Sequence, residues 1–273
     1  MTALIFRGHE VLGGIPVENR GLAYGDGVFE TMRVDRGAVH WWDAHWTRLT
    51  GGAERLGLHM PDCGIARDAC RSLFADESDG VVKLLLTRGG EGRGYAPAPD
   101  APPVWMVSRH ALPARTRRGL ALHWAETTVA IQPALAGLKH CNRLEQVMAR
   151  GECARRGTDE ALMCDVDGHV IGATAANVFL LADGRWCTPR VDRSGVAGVC
   201  RDHLLSVLDA SEDSISMADV EGADAVFLCN AVRGILPVAR LGARTWLDLS
   251  ESVAVARRLA HRHPGLVLDL EHP

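Results

Sequence analysis

The sequence predicts an α/β protein with two domains. Apolar runs rich in β-branched residues and segments with apolar residues at helical spacing both occur along the chain, so strands and helices are mixed. A chain of 273 residues is long enough to form two modest cores. The clearest break is RHALPARTRR (109–118), where charge and proline replace apolar residues. We therefore predict a smaller N-terminal α/β domain over 1–111, a linker over 112–118 and a larger C-terminal domain over 119–273.

In the N-terminal part, two apolar runs predict a β-hairpin. Val28 to Val34 and Ala38 to Trp42 flank Asp35-Arg36-Gly37, which puts glycine at a turn position that requires positive φ. Asp43 is then the expected N-cap of a helix over AHWTRLTGGAERLGL (44–58). Apolar, β-branched composition predicts two further strands, at 81–88 and 104–108.

The C-terminal part is predicted to contain both helices and hairpins. Leu144, Val147, Met148 and Gly151 fall on one face of a helix. Asp-Gly pairs between apolar runs indicate hairpin turns. The predicted elements are strand-like regions 161–171 (turning at Asp167-Gly168) and 178–187 (turning at Asp183-Gly184), helix 199–208, strand 225–232 and helix 250–262.

Composition favours a role with a small-molecule substrate. The 30 basic and 34 acidic residues give a formal charge of -4, which offers no field for nucleic acid or an anionic membrane surface. Eight cysteines without a C-x-x-C pair indicate neither a metal site nor a redox dithiol. The N-terminus lacks signal-peptide features, and no apolar run approaches the roughly 18 residues of a membrane span. We expect a cytoplasmic protein with reduced thiols.

Lys139 is the first candidate for chemistry. It is one of only two lysines, the other being Lys83 within a predicted strand. It follows the apolar stretch ALAGL and precedes an amphipathic segment, so its amine is expected at a strand-to-helix boundary, partly desolvated. A desolvated lysine has a lowered pKa and can act as a nucleophile toward an aldehyde. The alternative from the residues alone is an ordinary solvated lysine.

A possible phosphate cradle is the second candidate. SGVAGVCRDHLL places glycines just before a helix, where free backbone N–H groups and the helix dipole favour an anion. Arg48, on the helix after Asp43, could offer a planar guanidinium to the same phosphate. Most glycine-led helix starts bind nothing, and the alternative for Arg48 is a surface helix arginine.

Several short sequence segments together resemble those of a known enzyme family. KHCNRLEQV within 137–150 is the most specific of them. The others are RGLAYGDGVFETMRV, HWTRL, TRGGEGRGY, DEALMCDVDGHVIGATAANVFLL, GVAGVCRD and FLCNAVRGILPV. In this order they resemble the aminodeoxychorismate lyases among class IV aminotransferase-like enzymes, across nearly the whole chain.

The resemblance implies an α/β enzyme of pyridoxal-phosphate fold type IV, the fold of branched-chain and D-amino acid aminotransferases. It also implies pyridoxal 5'-phosphate as cofactor, a homodimer, and conversion of 4-amino-4-deoxychorismate to 4-aminobenzoate and pyruvate in folate biosynthesis. Lys139, placed in the C-terminal domain, is then the Schiff-base lysine and acid/base catalyst. The implied phosphate ligands are Arg48 by its side chain and Val199 and Cys200 by their backbone, with Asn230 and Ala231 nearby. The implied substrate residues are Phe29, Arg88, Arg93 and Tyr95; structural salt bridges are the alternative use of the arginines.

Gly172 departs from the family pattern. Many members of the fold have a glutamate at this cofactor-facing position, where it pairs with the pyridine nitrogen. Asp165, Asp167 and Glu160 are near in sequence, but strand alternation does not guarantee that any reaches the ring. The departure counts against the first alternative function, a transaminase of the same fold acting on D-amino acids, branched-chain amino acids or amines. The second alternative is a non-catalytic cofactor-binding protein, which retention of Lys139 disfavours.

Overall fold

The computed structural model describes residues 2–90, 92–114, 118–266 and 268, and it divides the chain into two compact units. Unit 1 comprises Met1–Leu112 and Leu138–Asn142, and unit 2 comprises Pro113–Gly137 and Arg143–Pro273. The segment that carries Lys139 therefore belongs to unit 1, whereas the sequence-based division placed it in the C-terminal domain. The difference arises because this segment pairs with strand residues far earlier in the chain, a long-range contact that local composition does not reveal.

Unit 1 contains an antiparallel sheet with two longer helices. Its helices are α1 (Arg20–Tyr24), α2 (Trp42–Leu56) and α3 (Cys63–Ser72). Its strands are β1 (Ala3–Arg7), β2 (Glu10–Leu12), β3 (Gly27–Asp35), β4 (Ala38–Val39), β5 (Gly80–Thr87), β6 (Gly92–Arg93), β7 (Ala96–Pro97) and β8 (Val104–His110).

The described strands of the main unit 1 sheet have the order β2-β1-β8-β5-β3-β4, and β6 and β7 form a separate small hairpin. Alternation along β3 and β5 separates two faces. One face packs residues such as Met32, Val82 and Trp105 into the unit 1 core with α2 and α3. The other face carries the half-buried residues Phe29 and Lys83. Phe29 and Lys83 are thus held by a sheet whose other face packs against the unit 1 core.

The predicted hairpin is confirmed. Val34 pairs with Val39 and Asp35 with Ala38 across a two-residue turn. The predicted N-cap at Asp43 is wrong. Helix α2 begins at Trp42, so its N-cap is Trp41. Trp41 has a φ of 53° and makes no side-chain cap hydrogen bond. Asp43 instead lies in the first turn and binds Arg67 (Oδ1 to Nη2, 2.7 Å).

Helix α3 was not predicted from the sequence. Its N-cap Asp62 accepts a hydrogen bond from the backbone N–H of Ile65 at 2.9 Å. Its buried positions are small, namely Ala66, Ala69 and Cys70, so the apolar stripe is weak in the sequence although it packs closely.

Unit 2 contains a mixed sheet with four helices among its described residues. The helices are α4 (Leu144–Arg156), α5 (Val199–Leu208), α6 (Met217–Gly222) and α7 (Ser250–Arg262), followed by a 3₁₀ turn at Pro264–Leu266. The strands are β9 (Leu120–Trp124), β10 (Glu160–Cys164), β11 (Val170–Ala173), β12 (Asn177–Ala182), β13 (Arg185–Pro189), β14 (Ser211–Asp213), β15 (Ala225–Asn230), β16 (Gly234–Leu241) and β17 (Arg244–Thr245).

The described strands of unit 2 follow the order β11-β10-β9-β16-β15-β12-β13-β14, and β17 pairs with β16. Strand β9 pairs in parallel with both β10 and β16, while most other pairs are antiparallel. Buried residues such as Leu122, Leu180 and Leu228 form its core. Both predicted hairpins are confirmed, since β10 pairs with β11 and β12 with β13, and the predicted helices 199–208 and 250–262 match α5 and α7.

No helix among the described residues is long and apolar enough to cross a membrane.

Candidate active site

Lys139 is held against strand β3 of unit 1 by backbone pairing. The backbone N–H of Phe29 donates to the Lys139 carbonyl at 3.0 Å, and the N–H of Cys141 donates to the Gly27 carbonyl at 2.9 Å. Val28 and His140 form an antiparallel bridge between these two bonds. The Lys139 side chain is half-buried, and its Nζ lies 4.4 Å from the centroid of the Phe29 ring. The amine therefore has a defined position over an aromatic face.

Lys83 reaches the same ring from the neighbouring strand β5. It pairs with Thr31 of β3, and its Nζ lies 4.9 Å from the Phe29 centroid. The two lysines of the chain are thus both beside Phe29. Sequence reasoning treated Lys83 only as a strand residue. The available signal was strand alternation, because Phe29, Thr31 and Lys83 share a face once β3 and β5 are in register.

Arg48 takes part in a buried ionic group with residues of β3 and α2. Its Nε donates to Oε1 of Glu30 at 2.8 Å, and its Nη2 donates to Oε2. His45, one turn earlier on α2, approaches Oε2 with its Nδ1 at 2.6 Å. Because an ionised carboxylate only accepts, Nδ1 carries the proton. Sequence reasoning missed Glu30 and His45, although the three-residue spacing in HWTR puts histidine and arginine on one helix face.

Burial and charge act in opposite directions on this group. Burial alone would raise the pKa of Glu30, but the Arg48 charge, with hydrogen bonds from His45 and Arg48, lowers it below its usual value. Burial lowers the pKa of His45, and the positive charges of Arg48 and Lys139 lower it as well. The hydrogen bond with Glu30 and the charge of Glu30 act in the opposite direction, but the net effect is a lowered pKa. Glu30 is therefore charged and His45 neutral near pH 7. The Nε2 of His45 is buried without a hydrogen-bond partner.

The N-terminus of α5 in unit 2 is a suitable anion site. Its N-cap is Gly198, which makes no side-chain cap, so the first N–H groups of the helix, including those of Val199 and Cys200, have no intrahelical acceptor. A Cβ on Gly198 would overlap Oδ1 of Asn177. Asn177 in turn donates to the Val196 carbonyl at 2.9 Å. The close approach of the Asn177 side chain is the local reason for glycine at this N-cap position.

Asn230 is the last residue of strand β15 in the same unit, and Ala231 follows it in the turn. The Asn230 side chain is engaged in the local turn: its Oδ1 accepts from the backbone N–H of Val232 at 3.0 Å and of Arg233 at 2.8 Å. Its Nδ2 donates to the Ala175 carbonyl at 3.1 Å. The Asn230 side chain therefore holds the turn that follows β15.

Gly172 is buried on β11, and its backbone is suited to glycine. Its φ is +153°, and an added Cβ would lie 3.0 Å from the Ala176 carbonyl oxygen. The three acidic residues near it in sequence have other partners. Asp165 accepts backbone N–H groups at 167 and 169, Asp167 pairs with Arg193, and Glu160 contacts Thr174 and Arg150. Each of these three carboxylates is therefore already engaged by other groups.

The predicted substrate residues lie in unit 1 with different environments. Phe29 carries the two lysines on its ring. The Arg88 guanidinium donates to Asp26 and to the carbonyls of Leu56 and Gly57, a structural set of contacts. Tyr95 is 87% exposed at the tip of the β6–β7 hairpin. Arg93 belongs to β6, and its side chain lies outside the described part of the structure.

The chain matches a known protein family over most of its length. Residues 27–241 match the family described as amino-transferase class IV. The chain therefore belongs to the class IV aminotransferase family, a family of pyridoxal-phosphate enzymes, and the predicted α/β fold type is confirmed.

Among individual proteins, the chain is similar to aminodeoxychorismate lyase from Vibrio harveyi, with 37% identity over 84% of this chain and 88% of that protein. It is also similar to the crystal structure of 4-amino-4-deoxychorismate lyase from Pseudomonas aeruginosa (TM-score 0.88, 38% identity, 95% and 98% of the two chains covered). The branched-chain aminotransferase from Thermoproteus uzoniensis, solved with norvaline, shares the fold (TM-score 0.86, 18% identity, 97% and 95% covered).

The residues present fit pyridoxal phosphate in two respects. The uncapped start of α5, with no Cβ on Gly198, offers backbone donors for a phosphate, and Lys139 offers an amine for the aldehyde. Gly172 does not supply the carboxylate that the pyridine nitrogen has in many relatives.

Proposed function

We propose that this chain is a lyase that converts 4-amino-4-deoxychorismate to 4-aminobenzoate and pyruvate, a step of folate biosynthesis. The observation that supports this most directly is its similarity, at 37% and 38% identity, to two proteins named for that activity. The reactive group that we assign to this reaction is the Lys139 amine, which lies 4.4 Å from the centroid of the Phe29 ring.

Bound pyridoxal phosphate supplies an aldehyde that links to an amine and withdraws electrons from the adjacent carbon. Lys139 is the group we assign to that link in the resting enzyme, and its amine would become free for proton transfer once the substrate's amine takes its place. Its Nζ takes the proton from the amine-bearing ring carbon of the substrate. The C–O bond to the enolpyruvyl group then breaks, and the departing group leaves as pyruvate after taking up a proton. Phe29 restricts where the Lys139 amine can move.

Phosphate recognition is assigned to Arg48 and to the backbone N–H groups of Val199 and Cys200. Glu30 holds two nitrogens of the Arg48 guanidinium, so its plane has a fixed direction. At the start of α5 the donors are backbone groups that belong to a rigid helix. Both arrangements are preorganised, which reduces the entropy lost when the anion binds.

Gly172 favours the lyase over a transaminase. A transaminase must stabilise carbanion charge on the cofactor, and a carboxylate at the pyridine nitrogen assists that. In the lyase reaction, formation of an aromatic ring drives the elimination. The lyase reaction therefore needs less electron withdrawal by the cofactor than transamination does, and it tolerates glycine at this position better.

The test is turnover without an amino acceptor. Purified protein with pyridoxal phosphate and aminodeoxychorismate, but no keto acid, is expected to release pyruvate and 4-aminobenzoate in equal amounts over many turnovers. Lys139→Ala is the matched inactive control. The transaminase alternative predicts instead that D-alanine or L-leucine converts the cofactor to pyridoxamine phosphate once, with recovery only after a keto acid is added. A chain that binds the cofactor and gives neither result is the non-catalytic alternative.

We further propose that the protein is a cytoplasmic homodimer. Leu144, Val147 and Met148 form an apolar face on α4 and are 76%, 62% and 62% exposed in the single chain. Covering such a face with a second copy would bury it. The eight cysteines all lie in the described part of the structure, and none of them forms a disulfide there. A cytoplasmic location would keep their thiols reduced. Light scattering on the wild type and on Val147→Asp tests the dimer: the wild type is expected at twice the chain mass and the variant below it.

A further inference from the structure

The β6–β7 hairpin presents Tyr95 at its tip. Arg93 pairs with Ala96, so Gly94 and Tyr95 form the turn between the strands. The Tyr95 side chain is 87% exposed, and its own packing therefore contributes little to holding the turn. A short two-stranded hairpin is also marginally stable by itself. The position of the tip therefore depends largely on contacts from outside the hairpin.

Arg20 provides that contact. Its Nη1 donates to the Gly94 carbonyl at 2.8 Å, and its Nη2 donates to the Tyr95 carbonyl at 3.0 Å. Its backbone N–H also donates to the Gly89 carbonyl at 2.8 Å. One residue thus binds both turn carbonyls and the point where the chain leaves β5 toward the hairpin.

The Arg20 guanidinium is itself held in place. Its Nε donates to Oδ2 of Asp26 at 2.9 Å, and its side chain is only 7% exposed. Its guanidinium carbon lies 4.9 Å from the centroid of the Tyr24 ring. Tyr24 and Tyr95 are the only tyrosines of the chain, and their ring centroids are 5.4 Å apart. Arg20 and Tyr24 therefore contact the tip by hydrogen bonds and by ring packing respectively.

The geometry requires arginine. Three separate acceptors, one carboxylate and two consecutive carbonyls, are satisfied by the planar fork of a guanidinium. A lysine ammonium at the same distance is a single point and cannot reach all three with good geometry. Buried hydrogen bonds of a charged donor are also stronger than those of neutral donors.

We propose that Arg20 is a positioning residue that fixes the tip of the β6–β7 hairpin, so that Tyr95 is oriented to bind the substrate. The substrate part of this proposal rests on the proposed lyase function. The anchoring part stands on the contacts of Arg20 alone. Arg20 acts through Tyr95 and is expected to affect substrate affinity, not the proton transfer by Lys139.

The anchoring part is tested by fluorine NMR on protein labelled with 3-fluorotyrosine. Two tyrosines give two resonances, which Tyr24→Phe and Tyr95→Phe assign. In Arg20→Met the Tyr95 resonance is expected to move toward that of free 3-fluorotyrosine and to narrow, and in Arg20→Lys to move less. Arg109→Met is the matched control, because Arg109 also binds a carboxylate (Asp76), a carbonyl (Leu73) and an aromatic ring (Phe74) in the same unit.

The substrate part is tested by kinetics on the same variants. Arg20→Met is expected to raise KM for aminodeoxychorismate roughly tenfold with little change in kcat, the equivalent of about 1.4 kcal/mol of binding. In Tyr95→Ala the further change Arg20→Met is expected to add nothing, because the two residues act as one unit. Arg20→Lys should recover part of the affinity.

An unchanged Tyr95 resonance in folded Arg20→Met or Arg20→Lys overturns the anchor. Additive losses with Tyr95→Ala, or a fall in kcat at constant KM, overturn the positioning role even if the resonance moves. If Arg20→Met does not fold, Arg20→Lys decides both measurements. A wild type without turnover overturns the lyase function and the substrate part, whereas the NMR result still decides the anchor.

Discussion

Lys139 and Lys83 place two amines beside one aromatic ring, with Nζ-to-centroid distances of 4.4 and 4.9 Å from Phe29. Proximity alone therefore does not distinguish them. Borohydride reduction of the protein with bound pyridoxal phosphate is expected to label Lys139 and leave Lys83 unmodified, since the resemblance places only Lys139 at the cofactor. Peptide mass spectrometry reads the site, and Lys83→Met, which is expected to label normally, is the control. A label on Lys83 would contradict the assignment.

Arg48 has two roles at the residue scale, because it pairs with Glu30 and is predicted to bind phosphate. Arg48→Ala is expected to weaken cofactor binding roughly ten- to a hundredfold through loss of charged hydrogen bonds. It should also reduce the free energy of unfolding by about 3 kcal/mol, the lower end for breaking a buried ion pair, since Arg48 is partly exposed.

The two effects of Arg48→Ala separate in a double variant. Adding Glu30→Gln removes the uncompensated buried charge, so part of the lost thermal stability is expected to return while cofactor affinity stays low. Thermal unfolding and absorbance titration with pyridoxal phosphate measure the two quantities. Unchanged cofactor affinity in both variants would mean that Arg48 serves only the ion pair with Glu30.

At the scale of elements, strand β11 restricts what can stand at Gly172. Its φ of +153° and the nearby Ala176 carbonyl disfavour any side chain. Gly172→Glu is expected to lower the free energy of unfolding by about 1 to 3 kcal/mol. Gly172→Ala should show most of this loss, because the strain comes from the backbone.

In protein that still folds and binds cofactor, Gly172→Glu is expected to raise transamination more than lyase activity. Equal changes in both activities would remove the electron-withdrawal explanation for Gly172.

At the scale of the whole molecule, buried groups make stability depend on pH. The folded-state pKa of His45 is lowered, so the unfolded chain binds this proton first, and stability falls as pH drops below about 6.5. The pKa of Glu30 is lowered as well, and its contribution is lost as pH falls further, below about 4.5.

The expected result is a melting temperature that falls from pH 7 to pH 5 and then falls further below it. Each proton bound only by the unfolded chain contributes up to about 1.4 kcal/mol per pH unit. His45→Gln should flatten the upper part of the curve and leave the lower part. His40 and His203, whose pKa values burial also lowers, add to the same slope, so the variant reduces it without removing it. A curve unchanged by His45→Gln would mean that His45 does not titrate differently on unfolding.

Local patterns were sufficient for several elements. The hairpin β3–β4 and the hairpins turning at Asp167-Gly168 and Asp183-Gly184 were predicted because turn residues and alternating apolar runs are short-range signals. Helices α5 and α7 were also predicted from local sequence, and their bounds match the predicted ranges. Helix α3 was missed because its buried face consists of small residues, and the Asp43 cap was wrong because the chain enters α2 through a left-handed residue.

The sequence by itself determined the family, the candidate lysine Lys139 and the departure at Gly172, because these are properties of residue identity and order. Only the tertiary structure decided which side chains accompany them. Three sets of contacts join residues that are distant in the chain or lie on different elements. They are the pairing of Glu30 with Arg48 and His45, the approach of Lys83 to Phe29, and the hydrogen bonds from Arg20 to the turn at Tyr95. Such contacts depend on sheet register and helix packing, which form only when the whole unit folds.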